Sequence, residues 1–326
     1  MPNYTIGVDL GGTNLRIAAV DETGQLKEKV TLGTQVSLGR DHVVNEMCDA
    51  IRQVSQRHKS EGELKGIGIG VPGIIDMHTG MVRQSPNLPD WVDYPAQAVI
   101  EKQLGTRVFL ENDANAAALG EKWLGAAKDY DDMAMYTLGT GVGGGIVLGG
   151  KILHGMTGMA GELGHMTIEP DGHPCKCGNH GCLEQYASAT AVVRMAKEAI
   201  AAGATALAKA ANNDPEFSSK AVYNLAIQGD QDAKRIFHAV GRALGIAISG
   251  MVNALNLPMY VIGGGVSSAW DAFAPTIFEE LRWRCMVYKA TDPETVTRGE
   301  DKTLITRALL GGDAGLYGAA RLPMVH

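Results

Sequence analysis

Residues 5–20 read T-I-G-V-D-L-G-G-T-N-L-R-I-A-A-V, and the fold turns on whether the paired glycines lead into a strand or a helix. Residues 5–8 have the composition of a buried strand. After Asp9-Leu-Gly-Gly-Thr-Asn14 the chain resumes as a second strand-like run, residues 15–20, and a turn at Glu22-Thr-Gly24 leads to a third around residues 26–32. Gly11 and Gly12 therefore close a β-hairpin. A dinucleotide fingerprint or a Walker loop would open a helix here, and the Gly-Lys-Ser/Thr ending of a Walker loop is absent. A hairpin rich in glycine and threonine still suits phosphate, because backbone N–H groups and a hydroxyl converge on an anion. Alone, the same residues also read as a plain hairpin turn.

The plan recurs. Residues 133–138 form a strand, Gly139-Thr-Gly-Val-Gly-Gly-Gly145 a turn, and residues 146–153 another strand. Gly139, Gly141 and Gly144 satisfy G-x-G-x-x-G, yet no helix comes after them, so the dinucleotide reading fails on context. Two such hairpins predict two similar halves facing one phosphate chain. A third glycine segment, Met259-Tyr-Val-Ile-Gly-Gly-Gly-Val-Ser267, reads as a strand opening into a helix over residues 270–284. Glycines there let a flat ring or a ribose approach the backbone, although a tight strand-to-helix turn needs them as well.

Between these motifs, residues 43–58 carry helical periodicity through Val44, Met47, Ile51 and Val54. A strand over residues 66–71 ends in Pro72-Gly73, and Ser85-Pro-Asn-Leu-Pro-Asp-Trp91 is a proline-rich loop suited to a ligand or simply to the surface. Residues 107–110 form a strand that runs into Glu111-Asn-Asp-Ala-Asn115 and an alanine-rich helix to residue 124. Asp113 thus sits where a strand hands over to a helix. Ligands collect at the carboxyl ends of strands in open α/β sheets, and an Asp in that place also caps helices. Further helices are expected over residues 189–211, 218–227, 232–256 and 309–321.

Residues 161–184 read G-E-L-G-H-M-T-I-E-P-D-G-H-P-C-K-C-G-N-H-G-C-L-E. Thiolates and imidazole bind Zn²⁺ tetrahedrally, and glycines such as Gly178 and Gly181 let the backbone fold tightly around an ion. His165, Cys175, Cys177 and Cys182 make a closed, structural set of four, with His173 and His180 as rival imidazoles. Glu162 and Glu184 flank the cluster, so a metal knot would hold both. The hairpins at residues 9–14 and 138–145 are expected to lie outside that anchor.

At 326 residues the chain has room for two domains of ordinary size. A net charge of −7 with no basic run argues against nucleic acid or an anionic membrane as partner. No signal-peptide pattern opens the sequence, so a cytoplasmic location is expected. Clustered Cys-x-Cys in a chain of this size reads as metal rather than disulfide. The apolar region of residues 243–266 is broken by Asn253, Asn256 and Pro258, which argues against a membrane span.

Taken in order, the motifs resemble the ROK family of sugar kinases, within the actin/hexokinase/Hsp70 superfamily, over essentially the whole chain. The resemblance implies a two-lobed α/β, ribonuclease H-like ATPase fold with a structural zinc site. Its lobes would be residues 1–113 plus 306–326, and 114–305. It implies ATP contacts from Asp9, Gly11, Gly12, Thr13 and Asn14, from Gly139, Thr140, Gly141 and Gly143, and from Gly263, Gly264, Gly265 and Val266. Sugar contacts are implied for Pro72, Gly73, Asn87, Asn112, Asp113, Glu162, His165 and Glu184, with Asp113 as catalytic base. Zinc ligands would be His165, Cys175, Cys177 and Cys182, and Asp9 would hold Mg²⁺ through water. The expected reaction is ATP-dependent phosphorylation of a hexose at its 6-hydroxyl, glucose first. N-acetylmannosamine, N-acetylglucosamine, mannose and fructose are alternatives, as is a non-catalytic sugar sensor, which would be expected to lack Asp113. A family repressor would carry a DNA-binding domain ahead of residue 9. A homodimer or homotetramer is implied. Arg16 stands at a position from which the resemblance draws nothing.

Overall fold

The computed structural model describes residues 3–325. β1 (Asn3–Leu10), β2 (Asn14–Asp21) and β3 (Leu26–Gly33) form an antiparallel meander, followed by α1 (Arg40–His58), which starts before the periodic stretch read from sequence. Next come β4 (Glu63–Val71), a small hairpin of β5 (Ile74–Asp76) and β6 (Met81–Gln84), α2 (Ala96–Leu104), β7 (Val108–Asn112) and α3 (Asp113–Trp123). The first sheet has the order β3-β2-β1-β4-β7, with β1, β4 and β7 parallel.

The chain continues through β8 (Met133–Leu138), β9 (Val142–Leu148), β10 (Lys151–Ile152), α4 (Glu184–Ala187), α5 (Ala189–Ala201), α6 (Thr205–Asn213), α7 (Ser219–Ile227) and α8 (Gln231–Leu255). β11 (Met259–Gly263), α9 (Trp270–Arg284), α10 (Met286–Thr291), β12 (Leu304–Arg307) and α11 (Ala314–Val325) complete it. The second sheet has the order β10-β9-β8-β11-β12, in which β8, β11 and β12 are parallel. Two expected helices differ. The run at residues 189–211 is split, because Gly203 turns at φ 103° between α5 and α6. The closing helix starts at Ala314, after a short 3-10 turn at Gly311–Asp313.

Two compact units emerge: Met1–Asp131 with Gly145–Gly161 and Leu309–His326, and Asp132–Gly144 with Glu162–Ala308. The division expected from sequence ran at residues 113/114 and 305/306. α3 stays with the first unit because it packs against α11 backbone to backbone: a Cβ on Gly318 would overlap the Ala116 carbonyl, and one on Gly120 the Ala314 carbonyl. The buried Glu121 adds a polar clasp. Its carboxylate accepts from the amides of Ala126 (2.8 Å), Leu309 (3.1 Å) and Leu310 (2.8 Å).

In the first unit the G-I-G-I-G alternation of residues 66–70 explains both faces of the sheet. Ile67 and Ile69 point into a core shared with Ile6, Val8, Met47, Ile51 and Val54, and α1 covers it. The glycine face takes α11 directly, since side chains on Gly7 or Gly68 would run into the backbone of Leu316 or Ala319. Thr5 Oγ1 donates to the Ala320 carbonyl at 2.7 Å across the same contact. In the second unit, α8 is the one helix among the described residues long and apolar enough to cross a membrane, and 67% of its apolar window is buried in protein.

Candidate active site

In the first unit the predicted residues gather at the carboxyl ends of β1, β4 and β7. The hairpin after Asp9 is closed by the Gly11 amide on the Asn14 carbonyl (2.9 Å) and held by Thr34, whose hydroxyl donates to the Gly11 carbonyl. Asn14 already belongs to β2. Asn87 packs on this hairpin, because a Cβ on Gly12 would stand 3.1 Å from the Asn87 Cβ. Pro72 is buried, and Gly73 is held at φ 126°, where a Cβ would press on Gln84 and Ser85.

Asn112, not Asp113, caps α3. Its Oδ1 accepts from the amides of Ala114 (2.9 Å) and Asn115 (3.2 Å), and its Nδ2 donates to the Gly73 carbonyl at 3.1 Å. One amide hydrogen of Asn112 is left for a ligand. Asp113 comes next, in the first turn of the helix, half-buried, with Oδ1 accepting from the Ala114 amide. Asp9 lies close by: Gly315 is 3.6 Å from Asp9 Cγ and 3.8 Å from the Asp113 carbonyl, measured from the Cβ it lacks. Burial pushes the Asp9 carboxyl above its usual range, Arg16 opposing at 3.4 Å. A divalent cation offsets the same desolvation penalty, and oxygen is its preferred donor, so Asp9 fits a Mg²⁺ role.

His154 has no sequence signature. Its Nε2 meets Glu111 Oε2 at 2.6 Å, and Glu111 is buried directly ahead of Asn112. Nothing in a lone histidine after a short strand pointed to this pairing.

In the second unit, the Gly139 amide bonds the Gly141 carbonyl at 2.9 Å to form the second turn, and Gly143 lies inside β9. Thr190 Oγ1 donates to the Thr140 carbonyl at 2.7 Å. Gly264, at φ 82°, lies on Leu138, which brings the segment Gly263, Gly264, Gly265 and the buried Val266 beside that turn. A cavity of about 680 Å³ bordered by Ile51, Arg57 and Leu64 contains none of the predicted residues. Another of about 840 Å³ opens next to Thr140, walled by Thr190, Val193, Arg194, Lys197 and Phe217.

The Cys/His cluster forms as expected. Ligand atoms of His165, Cys175, Cys177 and Cys182 all lie within 4.8 Å of one another, with Cys177 and Cys182 sulfurs 3.7 Å apart and His165 Nδ1 3.7 Å from Cys175. A tetrahedron of Zn–S bonds of about 2.3 Å has edges of about 3.8 Å, so the set fits zinc. Burial and the neighbouring thiols push the metal-free Cys182 thiol up to about 12, a penalty that a central cation removes. His173 and His180 stand outside the cluster.

Glu162 is exposed beside the 3-10 turn Leu163–His165, and Glu184 opens α4. The expectation that the glycine hairpins lie outside the cluster's anchor is wrong for the second one. Glu184 Oε2 accepts from the Val142 amide at 3.1 Å, leaving no room for a side chain on Gly141, and Gly164 sits on the Val142 carbonyl.

Residues 5–324 match the family model described as ROK family. The chain is 40% identical over 318 residues to a glucokinase of Thermotoga maritima, covering 97% of this chain and 96% of that one. It is 39% identical over 322 residues to a glucokinase of Halalkalibacterium halodurans, covering 98% and 94%. A ROK family glucokinase from Streptomyces griseus, solved in complex with glucose and AMPPNP, superposes with a TM-score of 0.80 at 34% identity, covering 99% of this chain and all of that one. With its two α/β units and its glycine hairpins in the expected order, the chain belongs to the ROK family of sugar kinases.

Proposed function

We propose that this protein is an ATP-dependent hexose kinase that transfers the γ-phosphate to the 6-hydroxyl of glucose. The observation that carries this is the place of Asp113, in the first turn of α3 directly after the cap Asn112, at the end of β7 and close to Asp9 and the first glycine hairpin. Its carboxylate accepts the hydroxyl proton as the sugar oxygen bonds to the γ-phosphorus and the bond to ADP breaks. Asn87, Asn112, Glu162, His165 and Glu184 bind the ring hydroxyls, and the Pro72-Gly73 backbone shapes the pocket.

The two glycine turns bind phosphate oxygens through amides other than those of Gly11, Gly139 and Val142, which already have acceptors, with Thr13 and Thr140 adding hydroxyls. Base and ribose lie against Gly263, Gly264, Gly265 and Val266, and the cavity at Thr140 offers them an apolar wall in Val193 and Phe217. Asp9 would hold Mg²⁺, which would supply charge neutralisation at the phosphates. His165, Cys175, Cys177 and Cys182 would hold a structural zinc ion that fixes the tautomer of His165, whose second ring nitrogen would then donate to a sugar hydroxyl.

An ADP-release assay across glucose, mannose, fructose, N-acetylglucosamine and N-acetylmannosamine tests the reading. The highest kcat/KM is expected on glucose. Turnover of none of them, with sugar binding intact, would identify a sensor instead. The dimer or tetramer implied by the resemblance is tested by light scattering, and the cytoplasmic location by cell fractionation.

A further inference from the structure

We propose that Glu111 and His154 form a positioning pair that sets Asp113 for the transfer step by clamping the loop of residues 153–161 onto the end of β7. The proposal rests on the reading of Asp113 as the base.

Glu111 is 1% exposed, and each of its oxygens is committed. Oε1 accepts from the Asn112 amide at 2.9 Å and from Asn115 Nδ2 at 3.0 Å, and Oε2 takes His154 Nε2 at 2.6 Å. One carboxylate thus grips the backbone just ahead of Asp113, the first turn of α3 and a loop more than thirty residues away in sequence. Backbone contacts hold the loop as well. The Leu153 amide reaches the Ile146 carbonyl (2.8 Å), the Ala160 amide reaches the His154 carbonyl (3.1 Å), and Gly158, at φ 81°, packs on the Ile75 carbonyl. Eight residues after His154 the chain reaches Glu162.

A buried carboxylate facing only neutral amides is costly, and losing its cationic partner costs more than the pair itself contributes. His154 supplies that charge. Its hydrogen bond to Glu111 raises its pKa, against the effect of burial. The ring is therefore charged below its raised folded pKa and loses the charge as pH rises through it, while the neutral ring keeps the Nε2 hydrogen and so the hydrogen bond. Of the elements beside the loop, β7 brings Glu111, α3 brings Asp113, β10 brings the exposed Lys151, and the β5–β6 hairpin brings Asp76, which is tied to Arg83 at 2.7 Å.

The test compares the full-length enzyme with His154→Gln, which keeps a donor without charge, Glu111→Gln, which keeps the shape, and Asp113→Asn. Melting curves establish that each variant folds. His154→Gln is expected to lower kcat between about tenfold and a hundredfold, the scale of a slight misplacement of a catalytic group, with both KM values within about twofold. Wild-type kcat falls on the alkaline side as His154 loses its charge, and His154→Gln lacks that limb. Glu111→Gln should show both changes, so either variant suffices if the other unfolds. A His154→Gln enzyme with wild-type kcat and an unchanged alkaline limb, alongside a dead Asp113→Asn, would overturn the pair and leave the base in place. Turnover retained in Asp113→Asn would overturn the base and the pair with it.

Discussion

The Glu184 carboxylate accepts the Val142 amide hydrogen at 3.1 Å, so a residue two places after Cys182 is bonded to the second glycine turn. The Cys/His cluster and the second glycine hairpin are therefore one mechanical piece in the second unit.

Loss of the metal should then weaken both substrates. Cys177→Ser replaces a thiolate by a poor zinc ligand, and Glu184 and His165 lose their common anchor. Each KM is expected to rise about tenfold, the equivalent of one hydrogen bond to a charged group. Metal content and the two KM values of the purified variant check it, and an unchanged KM for ATP in zinc-free enzyme would show that the hairpin holds its shape alone.

Asp113→Asn should abolish most turnover and leave sugar binding nearly intact. A general base contributes about 10²–10⁴-fold, and Asn keeps the shape without accepting the proton. Calorimetric titration of sugar beside a rate measurement decides, and a variant retaining more than about a tenth of wild-type kcat would exclude the assignment.

Two adjacent glycines should behave oppositely. At Gly264 a Cβ would sit 2.5 Å from the Leu138 carbonyl oxygen at φ 82°, whereas at Gly265 nothing lies within 4 Å. Gly264→Ala is expected to lose about 2 kcal/mol or more of stability through strain and overlap. Gly265→Ala should stay within about 0.5 kcal/mol. Urea unfolding of the two variants measures the difference, and equal losses would contradict the packing of the third glycine segment on β8.

Glu121→Ala should cost about 1–3 kcal/mol, because the part-buried amides of Ala126, Leu309 and Leu310 lose their acceptor while water reaches the exposed Leu309. Thermal unfolding reads the effect. A variant as stable as wild type would mean that water replaces the carboxylate at all three.

What the sequence disclosed was mostly local. The hairpin at Gly11 and Gly12 was legible because strands flank it, and the cluster because three cysteines lie within eight residues. The split at Gly203 was present as a residue but outweighed by the alanines around it. The cap at Asn112 was hidden beside an equally good capping residue, and only the fold shows that the Asn112 amide also reaches Gly73. His154 had no signature at all, since its partner lies more than forty residues earlier. Unit boundaries were obscured for the same reason: the α3–α11 contact depends on Gly120 and Gly318, nearly two hundred positions apart.

The bare glycine face of β1 and β4 bears on how the protein is made. Thr5 and Ala320, bonded in the finished molecule, are separated by 315 positions. At a synthesis rate of about 5–20 residues per second, the first strand waits roughly a quarter of a minute to a minute for the helix that covers it. Throughout that time the nascent sheet shows the ribosome exit an uncovered surface with nothing local to close it, and such long-range closure is intrinsically slow. Production should therefore depend on chaperone supply, and a nascent chain arrested ahead of α11 should be degraded or captured rather than released folded.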